Sequence, residues 1–578
     1  MRWLSSCLGV LLSVVSMASA QDSKTTLSIP CGVTRTGLPL VSEIDADFLN
    51  FNHSKPRALI IGGLDGAKTS SNQVTQLGRM IELRQHCTLA TIAVGNPEGL
   101  AASESTKNSA GGTPSRGYPP KAKAYDDSTN PESIYLWRWI GMLGPDVVIV
   151  VERGEQPAVL VGSVSSKHGP SLKFADGLSP ATSPSDELTA ALVVQAPADV
   201  GLIPAVTVKV TEQSSATELV TKLLSSGSIE RSPARVELLR RLARRPLEVA
   251  EELSMPYGHQ LNEVAYIPAL ALVGRLRLSE LTGNPKHRQD VERIVQPYYS
   301  GNKNPLGKNV NASTLSGHLV FGELADRTGD ARYVELDRLA ADLGFDKDGQ
   351  PLAAMPHHSE MSDAVFMGTP ILAQAGRLTK DTKYVDMALR HARFMTKLNL
   401  RADGLHQHSP VDPEKTAWGR GNGFVTLGLV LTLSELPEQG PAHDEIKKLF
   451  THHLQTMLKH QDELGMWHQV VDHPESYREL TVTCMTTFAI ARGLRRGWLD
   501  RTTYEPVVRR AWKSINMRIG PNGNLVDVCT GTGKMKSLRE YLDRPANFGK
   551  DDRGGAMTLM VSTELAYAER EGKLTLPE

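Results

Sequence analysis

The sequence predicts a multidomain protein, with an α/β domain first and an all-α domain second. Three observations lead to this prediction. The chain has 578 residues, which is more than one ordinary hydrophobic core organises. Apolar strands alternate with helices over residues 21–230. Between residues 260 and 575, one pattern of an apolar helix, a polar turn and a second amphipathic helix occurs six times.

The N-terminal segment has the pattern of an export signal. Arg2 supplies a basic start, residues 8–15 are apolar, and residues 18–20 form a small-residue cleavage site. No segment has the length of a membrane-spanning helix. We therefore divide the chain into a signal peptide (1–20), an α/β domain (21–230) and an all-α domain (231–578), and expect a periplasmic or secreted protein.

The charge balance argues against one class of partner, whereas the positions of the cysteines do not define the disulfide pairing. Lys plus Arg and Asp plus Glu number 64 each, a balance that argues against nucleic acid as the main partner. Cys31, Cys87, Cys484 and Cys529 have no metal-type C-x-x-C spacing. After export, Cys31–Cys87 and Cys484–Cys529 are possible disulfides, although sequence alone does not define the pairing or the oligomeric state.

Continuous apolar runs predict the strands of the α/β domain. These runs cover residues 57–61, 89–94 and 146–151, and a helix is expected at 72–84. Strands without polar alternation are typical of a sheet that is covered on both faces. A charged stretch at 235–255 predicts a single linker helix to the second domain.

This first domain resembles the zinc carboxypeptidase and deacylase family over roughly residues 55–225. The resemblance depends on the strand followed by Gly62 and Gly63, on the segment 96–99 and on the segment 145–152. It implies zinc ligands where this chain has Asp65, Lys68 and Glu152. Zinc prefers imidazole and thiolate ligands. We therefore expect a retained fold without the metal site, in which Lys68 neutralises the two acids.

The repeats predict a ring of six helical hairpins. A hairpin unit of about fifty residues does not bury its apolar face alone, so successive units pack side by side. In three of the repeats, the first helix ends in a similar sequence, at 281–284, 327–333 and 378–384. Polar residues cluster where the first helices begin, which places the chemistry at one end of a central pit. The predicted starts lie near Tyr266, Gly317, Asp363, Asn422, Thr481 and Gly555.

The most specific string in the chain is Trp-Gly-Arg-Gly-Asn-Gly-Phe at 418–424. Its three glycines predict a tight turn just before a helix rather than a helix interior. Trp418 offers a flat face for a sugar ring, Arg420 a planar fork for a carboxylate, and Asn422 a further polar contact. A structural glycine turn with Trp418 in the core is an equally good interpretation of the composition.

Other candidates lie at matching positions of neighbouring repeats. Asp363 begins one first helix, where an ordinary N-cap is the simpler interpretation. His408 lies on a loop, and Trp467, His468 and Glu479 precede the fifth first helix. Each has a structural explanation by itself, but their equivalent positions favour a shared site without a metal.

Residues 260–575 resemble glycoside hydrolase family 105 and the related family 88. These are unsaturated rhamnogalacturonyl and glucuronyl hydrolases with an (α/α)6 barrel. The matching motifs are 362–367, 379–384, 404–408, 418–424 and 465–469. The resemblance implies a catalytic Asp363 and substrate contacts from His408, Trp418 and Arg420. Phe424 replaces the usual Trp, a departure that bears on the identity of the substrate more than on the reaction. No second aspartate stands near 315–318, which favours family 105.

The resemblance implies a reaction that needs one carboxylate and no cofactor. Ordinary glycosidases need two carboxyl groups, but the unsaturated uronyl residue left by a lyase is an enol ether. Asp363 can protonate C4 and then accept a proton from the water that adds at C5. We expect an exported hydrolase of unsaturated uronyl oligosaccharides. The alternatives are a non-catalytic glycan-binding protein and a zinc carboxypeptidase or deacylase acting through the first domain.

Overall fold

The computed structural model describes residues 26–120, 127–161, 181–182, 184–226 and 229–576. The predicted signal peptide, residues 1–20, lies outside these described residues. Within them, every helix is too short or too polar to cross a membrane.

The first domain is built on one mixed eight-stranded sheet in the order β1-β2-β4-β3-β5-β8-β6-β7. Strands β4, β3, β5 and β8 are parallel, β2 pairs with β4 antiparallel, and β6 pairs with β8 antiparallel. The predicted runs at 57–61, 89–94 and 146–151 correspond to β3, β4 and β5. The strands are β1 Thr26–Val33, β2 Pro39–Asp45, β3 Arg57–Ile61, β4 Thr88–Ile92, β5 Val147–Arg153, β6 Ala158–Val161, β7 Ala181–Thr182 and β8 Ala205–Val210.

Helices cover both faces of this sheet, as the continuous apolar strands predict. The helix expected at 72–84 begins earlier and is broken into two pieces, α1 and α2. Helix α4 is buried along its whole length, because one side meets the sheet and the other meets the second domain. The helices are α1 Lys68–Arg79, α2 Leu83–His86, α3 Pro97–Ala101, α4 Pro131–Leu143, α5 Leu188–Leu192 and α6 Ala216–Ser225.

The expected linker helix at 235–255 is two helices, α7 Pro233–Leu242 and α8 Pro246–Ser254. The break falls at Arg245, whose backbone is extended (φ −80°, ψ 157°). A residue before proline is pushed out of the helical region by the proline ring, and Pro246 then fits the first turn of the next helix. The single-helix prediction is therefore wrong at this point.

The second domain is all-α, with alternating inner and outer helices. The inner helices begin close to the predicted starts. The inner set is α9 Tyr266–Thr282, α11 Ala312–Gly317 with α12 Leu319–Thr328, α14 Ala364–Thr379, α16 Gly419–Glu435, α18 Leu480–Arg495 and α21 Asp552–Arg570. The outer set is α8 with α10 Pro285–Tyr299, α13 Ala331–Ala341, α15 Thr382–Asn399, α17 Pro441–Leu458 and α19 Arg501–Met517.

The inner helices form a closed ring. Each packs against its two neighbours in order, and α21 returns to pack along α9. Every outer helix packs behind its own inner helix. One continuous apolar core runs between the two layers, so the six hairpins bury together what none of them buries alone.

Three of the hairpin turns share one mechanism. A residue with positive φ ends the inner helix, and the next residue caps the outer helix through its side chain. Lys380 (φ 61°) takes the position that glycine occupies in the other two turns. The positive-φ residues are Gly283, Gly329 and Lys380, and the capping residues are Asn284, Asp330 and Asp381.

A β-hairpin between α19 and α21 interrupts the repeat. It consists of β9 Leu525–Cys529, the short helix α20 Leu538–Leu542 and β10 Ala546–Gly549. Strand β9 contacts α18 and α21. The hairpin is also in contact with the first domain, so it lies between the barrel and the sheet.

One hydrophobic core lies at the interface and is shared by the two domains. Apolar residues of β1 and α4 pack in one cluster with residues of the barrel loops and of the β9–β10 hairpin. Arg138 of α4 donates from Nε to Asp527 Oδ1 at 2.7 Å, and Arg518 lies 3.2 Å from the other oxygen. These three side chains are almost fully buried. An interface with a buried charge network and a shared core is rigid.

Among the described residues, none of the four cysteines forms a disulfide. Cys31 packs in the core shared by the domains, whereas Cys87 lies in the separate core on the other face of the sheet. Cys484 lies in the barrel core and Cys529 in the shared core. The two pairings that the sequence left open, Cys31–Cys87 and Cys484–Cys529, are therefore not formed in this structure.

Asp337 on outer helix α13 is a buried acid without compensation. Its side chain is fully buried, and neither carboxylate oxygen has a hydrogen-bond partner among the described residues. Burial raises its pKa well above the usual range, and Glu435 raises it further. The folded protein therefore favours the neutral form of this side chain.

We expect Asp337→Asn to stabilise the protein more at pH 8 than at pH 4. A group whose folded-state pKa is raised contributes its full stability below the unfolded-state pKa, and loses it as pH rises through the folded-state pKa. The asparagine amide of the variant does not ionise, so the variant does not lose stability in this way as pH rises. Thermal unfolding midpoints measured across pH should converge for the two proteins in acid; parallel curves would contradict the prediction.

Candidate active site

An aromatic floor, a set of three packed and buried rings, lies at the N-terminal ends of the inner helices, where the central pit is expected. Tyr266 of α9 meets the rings of Phe366 (5.9 Å) and Phe424 (5.5 Å) edge to face. Phe366 and Phe424 are stacked at 5.3 Å. Such offset contacts fix the three rings relative to one another. Phe366 lies three residues after Asp363, so this floor lies beside the start of α14.

Asp363 and His408 form the polar centre of the pit. Asp363 Oδ2 lies 3.1 Å from His408 Nε2, and the Asp363 side chain is 13% exposed. The backbone NH of Ser362 donates to the carbonyl oxygen of His408 at 2.9 Å, which ties the two segments together. Asp363 makes no side-chain capping hydrogen bond to α14. The N-cap interpretation therefore does not account for this carboxylate.

The second nitrogen of His408 faces a residue that the sequence motifs do not include. His408 Nδ1 lies 2.8 Å from the hydroxyl oxygen of Tyr541, on α20. Burial raises the pKa of Tyr541 above its usual range, so its hydroxyl stays protonated at neutral pH. His408 is thus held between a carboxylate and a hydroxyl, in a chain of three titratable groups.

Trp418 is a core residue. Its side chain is 1% exposed, and its ring packs at 4.4 Å from the ring of His408. The expectation that Trp418 presents a face to a sugar ring is therefore not met. Instead, the indole supports the imidazole from behind, which agrees with the structural interpretation of the motif.

Arg420 is also committed to the protein. Its guanidinium donates to Thr481 Oγ1 at 2.8 Å, to the carbonyl oxygens of Cys529 and Thr530, and to Glu479 at 3.4 Å. Burial alone would lower the pKa of Arg420, but Cys529 and Glu479 raise it above its usual range. Four of the five N–H groups are engaged. The expected uronate fork at Arg420 is therefore already occupied by the protein.

The glycines of the motif lie inside α16, contrary to the expected turn. Helix α16 begins at Gly419, so Gly421 and Gly423 are in its first turns. A Cβ at Gly421 would lie 2.6 Å from Ser362 Oγ, and one at Gly419 would lie 2.3 Å from the carbonyl oxygen of His468. The glycines are needed because neighbouring segments approach the helix closely.

The remaining candidates are buried and structural. Asn422 accepts from the backbone NH of His406 and donates to the carbonyl oxygens of His406 and Trp418. Trp467 donates from Nε1 to the carbonyl oxygen of Met457. They hold loops against α16 and α17, so direct substrate contact by either residue is not supported.

His468 and Glu479 are likewise engaged inside the protein. His468 lies 3.3 Å from Asp462, and its other nitrogen lies 2.6 Å from the carbonyl oxygen of Ser476. Glu479 caps α18 by accepting from the backbone NH of Val482 at 2.7 Å. Both side chains are buried, so the sequence interpretation of a substrate-facing group is wrong for this pair.

One residue missed by the motif analysis is a cation at the mouth of the pit. Arg553, in the first turn of α21, donates from Nε to the Tyr266 hydroxyl oxygen at 3.3 Å and is half-buried. Among the described residues, no acid lies within ion-pair distance of it. Its position at the sixth inner-helix start, near Gly555, was a usable signal. Tyr541 had none, because α20 lies outside the repeat.

The loop before Asp363 is strained and is bridged to the hairpin. His357, Ser359 and Glu360 all have positive φ (63°, 53° and 58°), a costly conformation for residues other than glycine. Lys534 Nζ lies 3.0 Å from Glu360 Oε2. The β9–β10 hairpin therefore contacts the segment that leads directly into the candidate acid.

In the first domain, the positions implied as zinc ligands serve structural roles. Asp65 Oδ2 accepts from the backbone NH of Arg153 at 2.6 Å, and Glu152 pairs with Lys209. Lys68 pairs with neither acid, so its expected neutralising role is wrong. In the part of the chain that the structure describes, no group of three or more His, Cys, Asp or Glu side chains is placed to hold a metal.

A comparison with known protein families finds a match within the second domain. The model described as Glycosyl Hydrolase Family 88 matches residues 240–568. An "Unsaturated 3S-rhamnoglycuronyl hydrolase" from Formosa agariphila is 31% identical over 172 residues, covering 26% of this chain and 45% of that protein. The chain thus spans under half the length of this relative. The matched family range leaves the α/β domain outside.

Two further proteins are similar to part of this chain. "Unsaturated rhamnogalacturonyl hydrolase YesR" from Bacillus subtilis is 27% identical over 295 residues, or 48% of this chain and 82% of that protein. A solved structure of a possible GH105 member from Salmonella enterica serovar Paratyphi A has a TM-score of 0.48 and 20% identity, over 58% of this chain and 95% of that chain.

We expect Arg420→Lys to destabilise the fold. An ammonium group cannot reproduce the planar fork that serves several acceptors, and breaking a buried charge network costs on the order of 3 kcal/mol. Chemical unfolding should show the loss. Arg393→Lys is the control, because the Arg393–Glu445 pair is exposed and should contribute little. An unchanged stability with a raised KM would restore the substrate role of Arg420.

Proposed function

Because the chain belongs to glycosyl hydrolase family 88, we propose that it hydrates the unsaturated uronyl residue at the non-reducing end of lyase-generated oligosaccharides. Rhamnogalacturonan-like or related polysaccharides would be the source. The observation that carries this proposal is the carboxylate of Asp363, which lies at the pit with His408 beside it and takes no part in capping its helix.

The chemistry needs one group that gives and then takes a proton. Protonated Asp363 transfers its proton to C4 of the enol ether, which leaves an oxocarbenium-like centre at C5. Water adds at C5 and gives up a proton to Asp363. The resulting hemiketal opens to a ketone at C5, which leaves C1 as a hemiacetal. This hemiacetal collapses to an aldehyde and releases the next sugar. His408, 3.1 Å away, keeps a second proton-binding group in contact with the carboxyl.

We assign the uronate carboxylate to Arg553. Arg420 has its donors occupied inside the protein, whereas Arg553 has an accessible guanidinium at the mouth of the same pit. The Tyr266 hydroxyl orients it from below. A planar cation with free N–H groups suits a carboxylate, which it can bind through two parallel hydrogen bonds.

We further propose that the protein acts after export, as the pattern of residues 1–20 suggests. The direct test of the function is the loss of enol-ether ultraviolet absorbance on a panel of lyase-generated oligosaccharides. Binding of these oligosaccharides without any absorbance loss would favour the alternative of a non-catalytic glycan-binding protein.

We expect Asp363→Asn to lower kcat by about 10² to 10⁴, the usual cost of removing a general acid and base. Stability should hardly change, since Asp363 makes no capping bond. Absorbance decay and thermal unfolding report the two quantities. Asp386→Asn is the matched control, an exposed acid on the outer helix α15 that should keep its rate. Near-normal turnover by the Asp363 variant would exclude the single-acid mechanism.

We expect Arg553→Ala to raise KM for uronyl substrates by about tenfold or more, because a charge-assisted hydrogen bond to the carboxylate is lost. The rate at saturation should fall less. The methyl ester of the same substrate carries no charge at that position, so wild type and variant should treat it nearly alike. Equal KM values for the free acid in both proteins would rule out this assignment.

A further inference from the structure

We propose that the α/β domain is a working part of the hydrolase site, because it holds Tyr541 in place so that Tyr541 orients His408 against Asp363. This inference rests on the proposed function. It assigns Tyr541 as a positioning residue and gives the first domain a role in the hydrolase site.

The first step is that two side chains, Tyr541 and Asp363, face the two ring nitrogens of His408. Neutral histidine carries one ring proton, and the group that faces one nitrogen decides which nitrogen holds it. The Tyr541 hydroxyl at Nδ1 can donate, which leaves the ring proton on Nε2, 3.1 Å from Asp363 Oδ2. Besides burial, the acids Asp412, Asp363 and Glu540 raise the pKa of Tyr541.

The second step is that α20 cannot hold Tyr541 by itself. The helix has five residues, too few for independent stability. Arg539, two residues before Tyr541, donates from Nη1 to the carbonyl oxygens of Thr34 at 2.8 Å and Arg35 at 3.1 Å. Arg35 in turn pairs with Asp543. The turn between β1 and β2 in the first domain therefore holds α20 through hydrogen bonds and an ion pair.

The third step is that this turn is itself fixed by Glu98. Its Oε1 accepts from the backbone NH and the hydroxyl of Thr36, both at 2.7 Å, and its Oε2 accepts from the NH of Ser109. Burial alone would raise the pKa of Glu98, but these hydrogen bonds hold it at about 2. Glu98 belongs to the 96–99 motif of the α/β domain, so that motif supports the turn that supports α20.

These contacts form one chain from the first domain to the reacting carboxyl. Every link is a direct hydrogen bond, an ion pair or a peptide-backbone connection over a few residues. The shared apolar core, which includes Tyr541 and Trp418, surrounds its last part and keeps water from His408. The links are Glu98, Thr36, Arg539, Tyr541, His408 and Asp363.

The test combines enzyme kinetics with an NMR measurement of the ring nitrogens of His408. In the full-length protein, Tyr541→Phe should lower kcat about tenfold with little change in KM, the size expected for loss of one hydrogen bond in a catalytic chain. The pH profile of kcat should move. Arg539→Met and Glu98→Gln should lower kcat less and move the profile in the same direction, while Arg116→Met, an exposed pair inside the first domain, should do neither.

A double variant separates positioning from general damage. If Arg539 acts through Tyr541, then Arg539→Met should cost almost nothing further in a Tyr541→Phe background. Nitrogen-15 NMR of labelled histidine, assigned with His408→Gln, should show two well-separated ring-nitrogen shifts that converge in Tyr541→Phe and in Arg539→Met.

The NMR measurement needs no substrate. A wild-type protein that hydrates no uronyl oligosaccharide would remove the proposed function, and the ring-nitrogen shifts would still decide the positioning role. Additive rate losses, or ring-nitrogen shifts identical in all variants, would overturn the inference.

Discussion

The buried carboxylate of Glu479 is the interaction on which the rim of the barrel depends. It caps α18 through the NH of Val482, accepts from the NH of Cys529 at 3.0 Å, and faces Arg420. A charge without water is tolerated only when it is fully hydrogen bonded and paired. The glycine-rich start of α16, the start of α18 and strand β9 must therefore form together. The motif that identifies the family builds this frame, and the carboxylate left without such duties is Asp363.

The sequence predicts the architecture well because the relevant signals are local. The inner helices were expected near Tyr266 and Asp363 and begin at Tyr266 and Ala364, since the turns that end them depend on neighbouring residues. The roles of Trp418 and Arg420 were not predictable, because residue type does not tell whether a side chain faces a pit or a core. Tyr541 lies on a short helix whose place is determined only by contacts with distant segments.

The boundary near residue 230 separates two folds but not two independent bodies. Helix α4 is buried on all sides, and the Arg138–Asp527 pair lies inside the interface. Asp65 and Glu152 both make contacts within the first domain. The rest of the chain contacts the other face of this domain, where β1 and α4 pack against the barrel.

The contact between Arg35 and Asp543 joins residues 508 positions apart, and this distance has a consequence for biosynthesis. The α/β domain leaves the ribosome first, with the outer face of α4 uncovered, and its covering residues are among the last to be made. Contacts at such separation form slowly, and exposed apolar surface invites aggregation meanwhile. In a nascent chain, this interface therefore stays incomplete until the final helix closes the ring.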